Sequence, residues 1–388
     1  MKILHCCLAQ FYIDDYGYQE NVMTRIHKHQ GHDVYILAST ETMDSKKGLV
    51  YVQPSSYINE DGIPVYRIPY IKYLPHFLSK KLRIYNGVEE VLNKISPDII
   101  FMHDGQTSDI YTIKNYLKCH PNVKLYMDSH TDFVNSARNW LSSNILHKII
   151  YKRYIQAIVP YVRKFYGTLP ARVDFYRNVY CTPENKTEYL PMGVDDISIN
   201  FQNKRDIKTE VRNKLGLNNT DFVIVSGGKL EQRKNVLTLI KAFMMIKSDS
   251  VKLLLFGSVK EDIKEEFFSL IEKDNRIVYV GWIPAKKTYE LFFASDLACF
   301  PGTHSTLWEE SVGYGIPAIF KYWKGITQID LGENCMIISE DISNNVIKEY
   351  LCKIISNKKL YERMKYCAET KGHKRFSYSY ISEYAISQ

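Results

Sequence analysis

Residues 225–235 read VSGGKLEQRKN. This stretch leaves the apolar run Phe222–Val225, which has the length and composition of a buried strand, and it contains two adjacent glycines. We expect the chain to turn on these glycines and to enter a helix at about Asn235. A strand, a glycine turn and a helix in this order predict an α/β unit.

The same alternation extends along both halves of the chain, and it predicts parallel sheets that are covered on both faces. In the first half the predicted strands are Lys2–Leu8, Val34–Ala38, Asp98–Met102, Lys124–Met127 and Ala157–Val159, with helices at Gln19–Gln30 and Ile110–Leu117. In the second half the predicted strands are Phe222–Val225, Val251–Phe256, Arg276–Val280, Leu297–Phe300, Ala318–Phe320 and Met336–Ile338, with helices at Leu237–Lys247, Glu261–Lys273, Lys286–Ala294 and within Asn357–Gln388.

A chain of 388 residues is too long for one ordinary core, so two domains are expected. The polar stretch Asp195–Thr220 reads as the linker, and residues 51–88, which are rich in proline, read as an insertion. We therefore predict an acceptor-binding domain over 1–197 and a donor-binding domain over 198–388. Two such domains in tandem would place the carboxyl ends of their strands across a cleft.

Composition excludes several classes of protein. A hydrophobic content of 45% with 24% charged residues is typical of a soluble globular protein. We find no apolar run long enough for a transmembrane helix and no signal-peptide pattern, so a cytoplasmic location is the expectation. The eight cysteines include no CxxC pair and no metal-ligand spacing, and we expect them to be buried, reduced thiols.

The net charge of +8 is concentrated in two stretches, 62–88 and 148–173, which contain basic and aromatic residues but no acid. This pattern suggests contact with an anionic partner: membrane headgroups, a lipid diphosphate or nucleic acid. Because no nucleic-acid-binding module is recognisable, nucleic acid is the least favoured of the three. The alternative is a solvated basic face above core tyrosines.

Three cations accompany the glycines of the opening stretch, namely Lys229, Arg233 and Lys234. Gly228 permits close approach of a ligand to the backbone, and the start of the following helix offers free N–H groups with a positive dipole. This combination predicts a diphosphate site. The alternative is an exposed basic loop with no ligand.

A second segment, PGTHSTLWEESVGYGIP over residues 301–317, also leaves a strand, and we expect its helix to begin near Ser305 or Thr306. Glu309 and Glu310 then lie one turn into this helix. A carboxylate in such a position can accept both hydroxyls of a ribose. The alternative is an acidic pair that complements the helix dipole.

Together the two segments resemble the GT-B glycosyltransferases, specifically the retaining group called family 4, which acts in bacterial surface polysaccharide synthesis. Residues 228–235 stand where that family has Gly-Arg-Leu-x-x-x-Lys-Gly, with Lys229 in place of the arginine and Lys234 as the lysine. Residues 310–317 correspond to the family's Glu-Ala-Met-x-x-Gly-x-Pro segment, so Glu310 resembles the ribose-binding glutamate. Residues 190–195 are similar to the family's Pro-Asn-Gly-Val-Asp. The resemblance implies two Rossmann-like domains and a C-terminal helix that returns to the first domain.

One departure concerns the transferred sugar. The family has a second glutamate eight residues upstream of the ribose glutamate, and Gly302 stands there in a shortened loop. We expect His304 or Ser305 to contact the sugar instead, and the backbone N–H groups of Ser305, Thr306 and Leu307 to bind phosphate or sugar.

In the first domain the resemblance implicates two positions. Gly17, in the loop after the first strand, resembles the family's glycine near donor phosphate and acceptor, and His130 resembles the active-site histidine near the transferred sugar. A lone histidine at a strand end is more often a structural hydrogen-bonding residue, and both interpretations stay open for His130.

The resemblance implies transfer from a UDP- or GDP-sugar with retention at the anomeric carbon, with Lys229 and Lys234 stabilising the departing diphosphate and His130 close to the sugar. No cofactor is expected, and no metal, because no convincing Asp-x-Asp set is present. An inverting enzyme would need a base, for which Asp14, Asp15 and Asp132 are candidates.

The expected acceptor is a glycan or lipid-linked glycan, as in capsule or O-antigen assembly, at the inner face of the membrane. The rivals are a GT-B epimerase, a phosphorylase, for which no cofactor-binding lysine is recognisable, and a catalytically silent GT-B protein that binds a nucleotide or acts as a scaffold.

Overall fold

The computed structural model describes residues 1–44, 48–132, 136, 139–140 and 142–388. The chain forms two compact units. The first unit consists of Met1–Pro191 and Ile381–Gln388, and the second unit consists of Met192–Tyr380.

The first unit is built on a mostly parallel sheet with helices between its strands. Its strands are β1 Lys2–Cys7, β2 Asp33–Ser39, β3 Glu41–Asp44, β4 Gly48–Tyr51, β5 Ser55–Ile58, β6 Pro64–Ile68, β7 Ile99–His103, β8 Lys124–Ser129, β9 Val162–Gly167 and β10 Thr187–Tyr189. Its helices are α1 Gln19–His29, α2 His76–Leu82, α3 Val88–Ile95, α4 Ile110–Cys119, a π-helical segment Ser142–Tyr151, α5 Lys152–Ile158, α6 Pro170–Asn178 and a 3-10 turn Glu184–Lys186.

The eight-stranded sheet of this unit has the order β10-β9-β8-β7-β1-β2-β6-β5, and β5 alone runs antiparallel to its neighbour. Its central strand β7 is buried along its whole length, as expected for a parallel strand with helices on both faces. Polar residues follow the apolar ones at the carboxyl ends, where β7 ends at His103 and β8 ends at Asp128 and Ser129.

The second unit contains a six-stranded, wholly parallel sheet in the order β13-β12-β11-β14-β15-β16. Its strands are β11 Phe222–Leu230, β12 Val251–Val259, β13 Ile277–Tyr279, β14 Leu297–Phe300, β15 Ala318–Lys321 and β16 Cys335–Ile338. Its helices are α7 Lys204–Lys214, α8 Val236–Met244, α9 Glu261–Ile271, α10 Thr288–Phe293, α11 Leu307–Gly313, α12 Asn344–Ile355, α13 Lys358–Cys367, a π-helical turn Ala368–Gly372 and α14 His373–Arg375, with 3-10 turns at Phe201–Asn203, Gln232–Lys234 and Ala285–Lys287.

The last helix, α15 Tyr378–Ser387, enters the first unit from Ile381 onward. Two buried tyrosines of that unit hold its backbone: the Tyr126 hydroxyl donates to the Ile386 carbonyl at 3.0 Å and the Tyr166 hydroxyl to the Ala385 carbonyl at 3.0 Å. The predicted return of the C-terminal helix is therefore confirmed.

The prediction of a strand at Ala157–Val159 is wrong. These residues end helix α5, and the neighbouring strand is β9 instead. Tyr154, Ile155 and Ile158 are buried together, and their spacing is that of one face of a helix. A short apolar run does not distinguish a strand from the buried face of a helix, and this explains the error.

The linker prediction for Asp195–Thr220 is also wrong, because this stretch contains helix α7 and packs within the second unit. The fully buried Arg212 holds it in place through an ion pair with Asp296 at 2.6 Å. Its guanidinium also donates to the carbonyl oxygens of Asn218, Asn219, Asp221 and Ala294. A polar composition therefore concealed a packed helix with a buried, fully bonded arginine.

The stretch 51–88 is more regular than an insertion. Strand β6 belongs to the main sheet, where it pairs in parallel with β2, and helix α2 follows it. All eight cysteines are free, but Cys119 and Cys181 are exposed, so the expectation of burial fails there. Within the described ranges, no helix combines the length and apolar character needed to cross a membrane.

Candidate functional site

The two glycines of the opening stretch do not form a turn. Strand β11 continues through Gly227 and Gly228 to Leu230, in register with β12, and Gly228 pairs with Gly257. A Cβ atom added to Gly257 would lie 1.8 Å from the Gly228 carbonyl oxygen. Gly228 and Gly257 both have positive φ, +100° and +112°. These two glycines allow the ends of β11 and β12 to approach closely, and they leave backbone without side chains at the carboxyl edge of the sheet.

The chain turns after β11 instead. A 3-10 turn over Gln232–Lys234 leads to Asn235, which has a left-handed φ of +53°, and α8 begins at the next residue. The Asn235 side-chain amide donates to the Pro301 carbonyl at 2.8 Å, and the Thr303 N–H donates to the Arg233 carbonyl at 3.0 Å. These bonds join the two segments that the sequence singled out, although they are far apart along the chain.

Lys234 strengthens this junction. Its ammonium donates to the carbonyl oxygens of Thr303 at 2.7 Å and His304 at 2.9 Å, and these bonds use two of its three donors. Burial, assisted by the charge of Arg233, lowers the pKa of Lys234 to about 8. The side chain predicted to bind phosphate is therefore also a structural link between the two loops.

Gly302 lies against this link. A Cβ atom at Gly302 would come within 2.4 Å of the Lys234 Cα and 2.6 Å of the Arg233 carbonyl oxygen. Its own carbonyl accepts a hydrogen bond from the Trp323 indole at 2.9 Å. A glutamate cannot occupy this position in this backbone, which gives a physical reason for the departure noted in the sequence.

The other two cations differ in their surroundings. Lys229 is exposed at the end of β11. Arg233 is paired with Glu231, its guanidinium lying 2.6 Å from the carboxylate. Partial burial raises the pKa of Glu231, but the bond and charge of Arg233, with the charges of Lys229 and Lys234, lower it overall. Lys229 is thus the more available of the two exposed cations.

Helix α11 begins at Leu307, with Ser305 half-buried and Thr306 exposed just before it. The two glutamates of this helix have different partners. The fully buried Glu309 accepts hydrogen bonds from His304 Nε2 at 3.0 Å and from the Gln328 amide at 2.9 Å. The ring of His304 also lies edge-on to Trp308, with ring centroids 5.3 Å apart. His304 is the residue predicted to contact the sugar. Its Nε2 is bound to Glu309, so Nδ1 is the ring nitrogen outside this bond.

Glu310 is only partly buried and accepts a hydrogen bond from the Thr288 hydroxyl at 3.2 Å. Burial raises its pKa to about 7; bonds from Thr288 and Thr306 oppose this shift, and Glu309 adds to it. A carboxylate in these surroundings gains from further hydroxyl donors, which favour its ionised form. This chemistry suits the diol of a ribose.

In the first unit, Gly17 lies exposed in the loop between β1 and α1 and does not have a positive φ. His130 follows β8 and is half-buried. Burial lowers its pKa, the charge of Asp128 opposes this, and the charge of Arg172 assists it. The roles assigned to Gly17 and His130 stay predictions.

Two of the three candidate bases of the first unit, Asp14 and Asp132, are bonded to arginines. Asp14 accepts hydrogen bonds from the Tyr57 hydroxyl at 2.7 Å and from Arg67 at 2.9 Å. Asp132 accepts one from Arg172 at 3.2 Å.

Sequence reasoning missed a buried cluster in the sheet of the first unit. His5, His103 and Asp128 are all fully buried and bonded in a row. The available signal was a histidine inside an otherwise apolar strand, at His5 in β1 and at His103 in β7. Among the described residues, no group of three or more His, Cys, Asp or Glu side chains has the arrangement needed to hold a metal ion.

Comparison with known proteins agrees with this architecture. Residues 207–371, within the second unit, match the family model of glycosyl transferases group 1. A curated relative, an uncharacterized glycosyltransferase of Methanocaldococcus jannaschii, is 22% identical over 284 residues, 70% of each chain.

Two solved structures cover nearly the whole chain. A glycosyltransferase from Rickettsia africae has a TM-score of 0.70 at 14% identity, covering 99% of this chain and 96% of its own. Anabaena HepE, solved in complex with UDP, has a TM-score of 0.66 at 15% identity, covering 99% and 98%. The predicted GT-B fold, with Rossmann-like parallel sheets, is therefore confirmed.

Proposed function

We propose that this chain is a glycosyltransferase that takes a sugar from a nucleotide diphosphate donor bound at the carboxyl edge of the second unit's sheet. The observation that carries the proposal is the junction of the two strand-end loops through Lys234, Thr303 and His304. It brings the loop that follows Lys229 at the end of β11 and the loop leading to Glu310 side by side, within the residues matched by the glycosyltransferase family model. Cations and a hydroxyl-accepting carboxylate at one edge suit a nucleotide diphosphate.

The diphosphate would lie over the bare backbone at Gly228, where a side chain would obstruct it. Lys229 supplies an exposed charge, and Lys234 supplies a fixed charge together with its remaining N–H. A donor group fixed in advance stabilises the charge that develops on the leaving diphosphate without reorganising. We assign this role to the two lysines and assign ribose binding to Glu310. The N–H groups of Ser305, Thr306 and Leu307 are further candidates for phosphate or sugar contacts.

The donor proposed is a UDP-sugar, with a GDP-sugar as the alternative. The Anabaena protein of the same fold was solved with UDP and also with UDP-glucose, which supports a uridine donor here. The test is thermal stabilisation of the protein by UDP, GDP, ADP and their sugars, because a ligand that binds the folded state raises the melting temperature. Stabilisation by none of them, at millimolar concentrations, would refute a nucleotide-sugar site.

For the reaction we propose retention without metal or cofactor. The lysines described above are assigned the electrostatic stabilisation of the diphosphate, and the family resemblance assigns His130 to the transferred sugar and Gly17 to the phosphate and acceptor. The stereochemistry is tested by proton NMR of the anomeric linkage in the first-formed product. An inverted linkage would instead require a carboxylate base, and Asp132 would then be examined before Asp14, whose carboxylate is bonded to both Tyr57 and Arg67.

For the acceptor we propose a glycan or lipid-linked glycan of bacterial surface polysaccharide synthesis, reached from the cytoplasmic side of a membrane. Helix α2 and the loop before it support this: Tyr73 and Phe77 are 81% and 66% exposed, with exposed Lys72 and Lys81 beside them in sequence. Exposed aromatic rings among lysines suit an anionic headgroup surface. Other members of the stretch have a structural role, since Arg67 is buried and bonded to Asp14.

A second candidate is a GT-B protein that binds a nucleotide without transferring a sugar. Two observations favour it: the backbone at Gly302 leaves no room for a glutamate, and His304 is bonded to Glu309. Hydrolysis or transfer of the stabilising nucleotide sugar, measured as release of free nucleoside diphosphate, separates the two candidates. An epimerase would convert the same donor without any acceptor.

A further inference from the structure

Four hydrogen bonds in a row cross the interior of the first unit. The row begins at the Ser382 carbonyl on α15, which contacts His27 Nε2 at 2.9 Å. His27 Nδ1 contacts His5 Nε2 at 3.0 Å, and His5 Nδ1 contacts His103 Nε2 at 3.0 Å. The row ends where His103 Nδ1 contacts the Asp128 carboxylate at 2.8 Å. We call these five groups the histidine row.

Two of the four contacts join ring to ring, and their geometry is that of a hydrogen bond between ring edges. The rings of His5 and His103 are within 16° of coplanar, with centroids 5.3 Å apart, which is the separation expected for rings joined edge to edge through two nitrogens. Both ring nitrogens of all three histidines take part. All three side chains are fully buried, so water does not replace these partners.

The row needs more protons than three neutral histidines carry. A neutral imidazole has one N–H and one bare nitrogen, and a carbonyl oxygen only accepts. The Ser382 carbonyl therefore requires a proton on His27 Nε2, so His27 Nδ1 is bare and accepts from His5 Nε2. With its proton on Nε2, His5 has a bare Nδ1, which accepts from His103 Nε2. His103 then has no second proton for Asp128 unless it is an imidazolium. Four bonds between two accepting ends require four protons, whereas three neutral rings hold three.

We propose that His103 is a permanent imidazolium paired with an ionised Asp128, and that His5 and His103 are positioning residues that couple Asp128 to the docked C-terminal helix. The extra proton is placed on His103 because this ring touches the carboxylate directly. Asp128 in turn accepts from the Gln19 amide at 3.2 Å, and it precedes the segment that carries His130. The row thus connects the backbone of α15 to the strand end that carries the predicted active-site histidine.

The surrounding charges agree with this placement. Burial alone would lower the pKa of all three histidines. For His103 the charge and hydrogen bond of Asp128, with the charges of Glu20 and Asp104, outweigh burial and raise the pKa. For His5 the pKa stays well below its usual value, and for His27 it falls to about 4. Other titratable groups that face the row include His32 beside His27, Cys7 and His130 near Asp128, and Tyr176, whose hydroxyl donates to the Asp128 carbonyl at 2.8 Å.

The direct test is nitrogen-15 NMR of histidine side chains in the full-length protein, which needs neither donor nor acceptor and so does not depend on transferase activity. Each ring shows whether zero, one or two of its nitrogens carry a proton. We expect His27 and His5 as neutral rings with N–H at Nε2, and His103 doubly protonated at pH 7.5. A neutral His103 with a bare Nδ1 would mean that Asp128 holds the proton, and a doubly protonated His5 or His27 would place it elsewhere; either result overturns the proposal.

Two variants of Asp128 test the coupling. Asp128→Asn removes the charge that holds the proton, so the doubly protonated signal is expected to disappear, while the new amide N–H can donate to His103 Nδ1 and keep four bonds in the row. Asp128→Ala removes the partner of His103 altogether, and backbone amide exchange in residues 381–388 should then become about tenfold faster, as loss of one buried hydrogen bond implies. The control is Asp132→Ala, which removes a nearby carboxylate bonded to Arg172 but outside the row. A signal that persists in Asp128→Asn, or exchange in Asp128→Ala equal to that of the control, contradicts the coupling.

Discussion

The Cα atom of Lys234 occupies the space that a side chain at Gly302 would need, since a Cβ there would come within 2.4 Å of it. This contact determines the path of the loop leading to α11, because the same lysine also binds the carbonyl oxygens of the next two residues of that loop. The missing sugar-contact glutamate is therefore coupled to the placement of the lysine that we assign to the diphosphate.

This contact predicts that Gly302→Ala destabilises the second unit. The methyl group meets backbone atoms that cannot move aside cheaply, so we expect a loss of about 1–3 kcal/mol in the free energy of unfolding. Denaturant melts followed by circular dichroism measure it. Gly17→Ala is the matched control, because Gly17 is exposed and lacks a positive φ; it should change stability by under about 0.5 kcal/mol. Equal stability of both variants would show that the loops can separate.

The two lysines of the proposed donor site should respond differently to alanine. Lys229→Ala should weaken binding of the nucleoside diphosphate about tenfold or more, as loss of a charged hydrogen bond implies, and leave the melting temperature unchanged. Lys234→Ala should reduce both binding and stability, because its two bonds to loop carbonyls are lost as well. Isothermal titration with the stabilising nucleotide and a thermal melt give the two readouts. Unchanged affinity in Lys229→Ala would remove this residue from the site.

Donor affinity should have a maximum between about pH 7 and pH 8. Glu310, with a pKa of about 7, must be ionised to accept ribose hydroxyls, so affinity rises as pH increases through that value. Lys234, with a pKa of about 8, loses its charge as pH increases further, so affinity falls again. Titration calorimetry from pH 6 to pH 9 records the profile. Glu310→Gln should flatten the acid side alone; an unchanged profile in that variant would mean that another group titrates.

His304 should matter for stability because it satisfies a buried carboxylate. Glu309 accepts hydrogen bonds from His304 and from the Gln328 amide, and His304→Ala removes the first of these two bonds. Leaving a buried acceptor without one of its donors costs about 1–3 kcal/mol, so a drop in the melting temperature is expected. The double variant with Glu309→Gln should recover part of this loss, since the unpaired charge is gone. Absence of any recovery would show that His304 acts through its packing on Trp308.

Helix α2 and the loop before it should bind anionic membranes. Replacing Tyr73 and Phe77 with serine should reduce sedimentation of the protein with vesicles containing phosphatidylglycerol at low salt, because both rings are largely exposed beside lysines. Tyr366→Ser is the control, an equally exposed aromatic in the second unit, 70% accessible. Equal binding by all three proteins, or no binding by the wild type, contradicts the membrane proposal.

Several elements of the fold were predictable from the sequence because their signals are local. The apolar run Leu297–Phe300 predicted a buried strand, and the structure confirms it as β14. The errors arose where local signals are ambiguous. Ala157–Val159 ends a helix, and the polar stretch after Asp195 contains α7, whose Arg212 is held by partners as far away as Ala294 and Asp296, 82 and 84 residues along the chain.

The sequence by itself determined the alternation of strands and helices, and with it the strand ends at which Lys229 and Glu310 had to lie. Tertiary structure alone decided which groups at those ends touch. Lys234 binds a carbonyl 69 residues away, and His5 binds a ring 98 residues away. Hydrogen bonds over such separations leave no periodic trace in the residues between them, because their geometry is set by strand order and register. The glycine pair that seemed to be a turn, the lysine that proved to be a link and the histidine row all became visible only there.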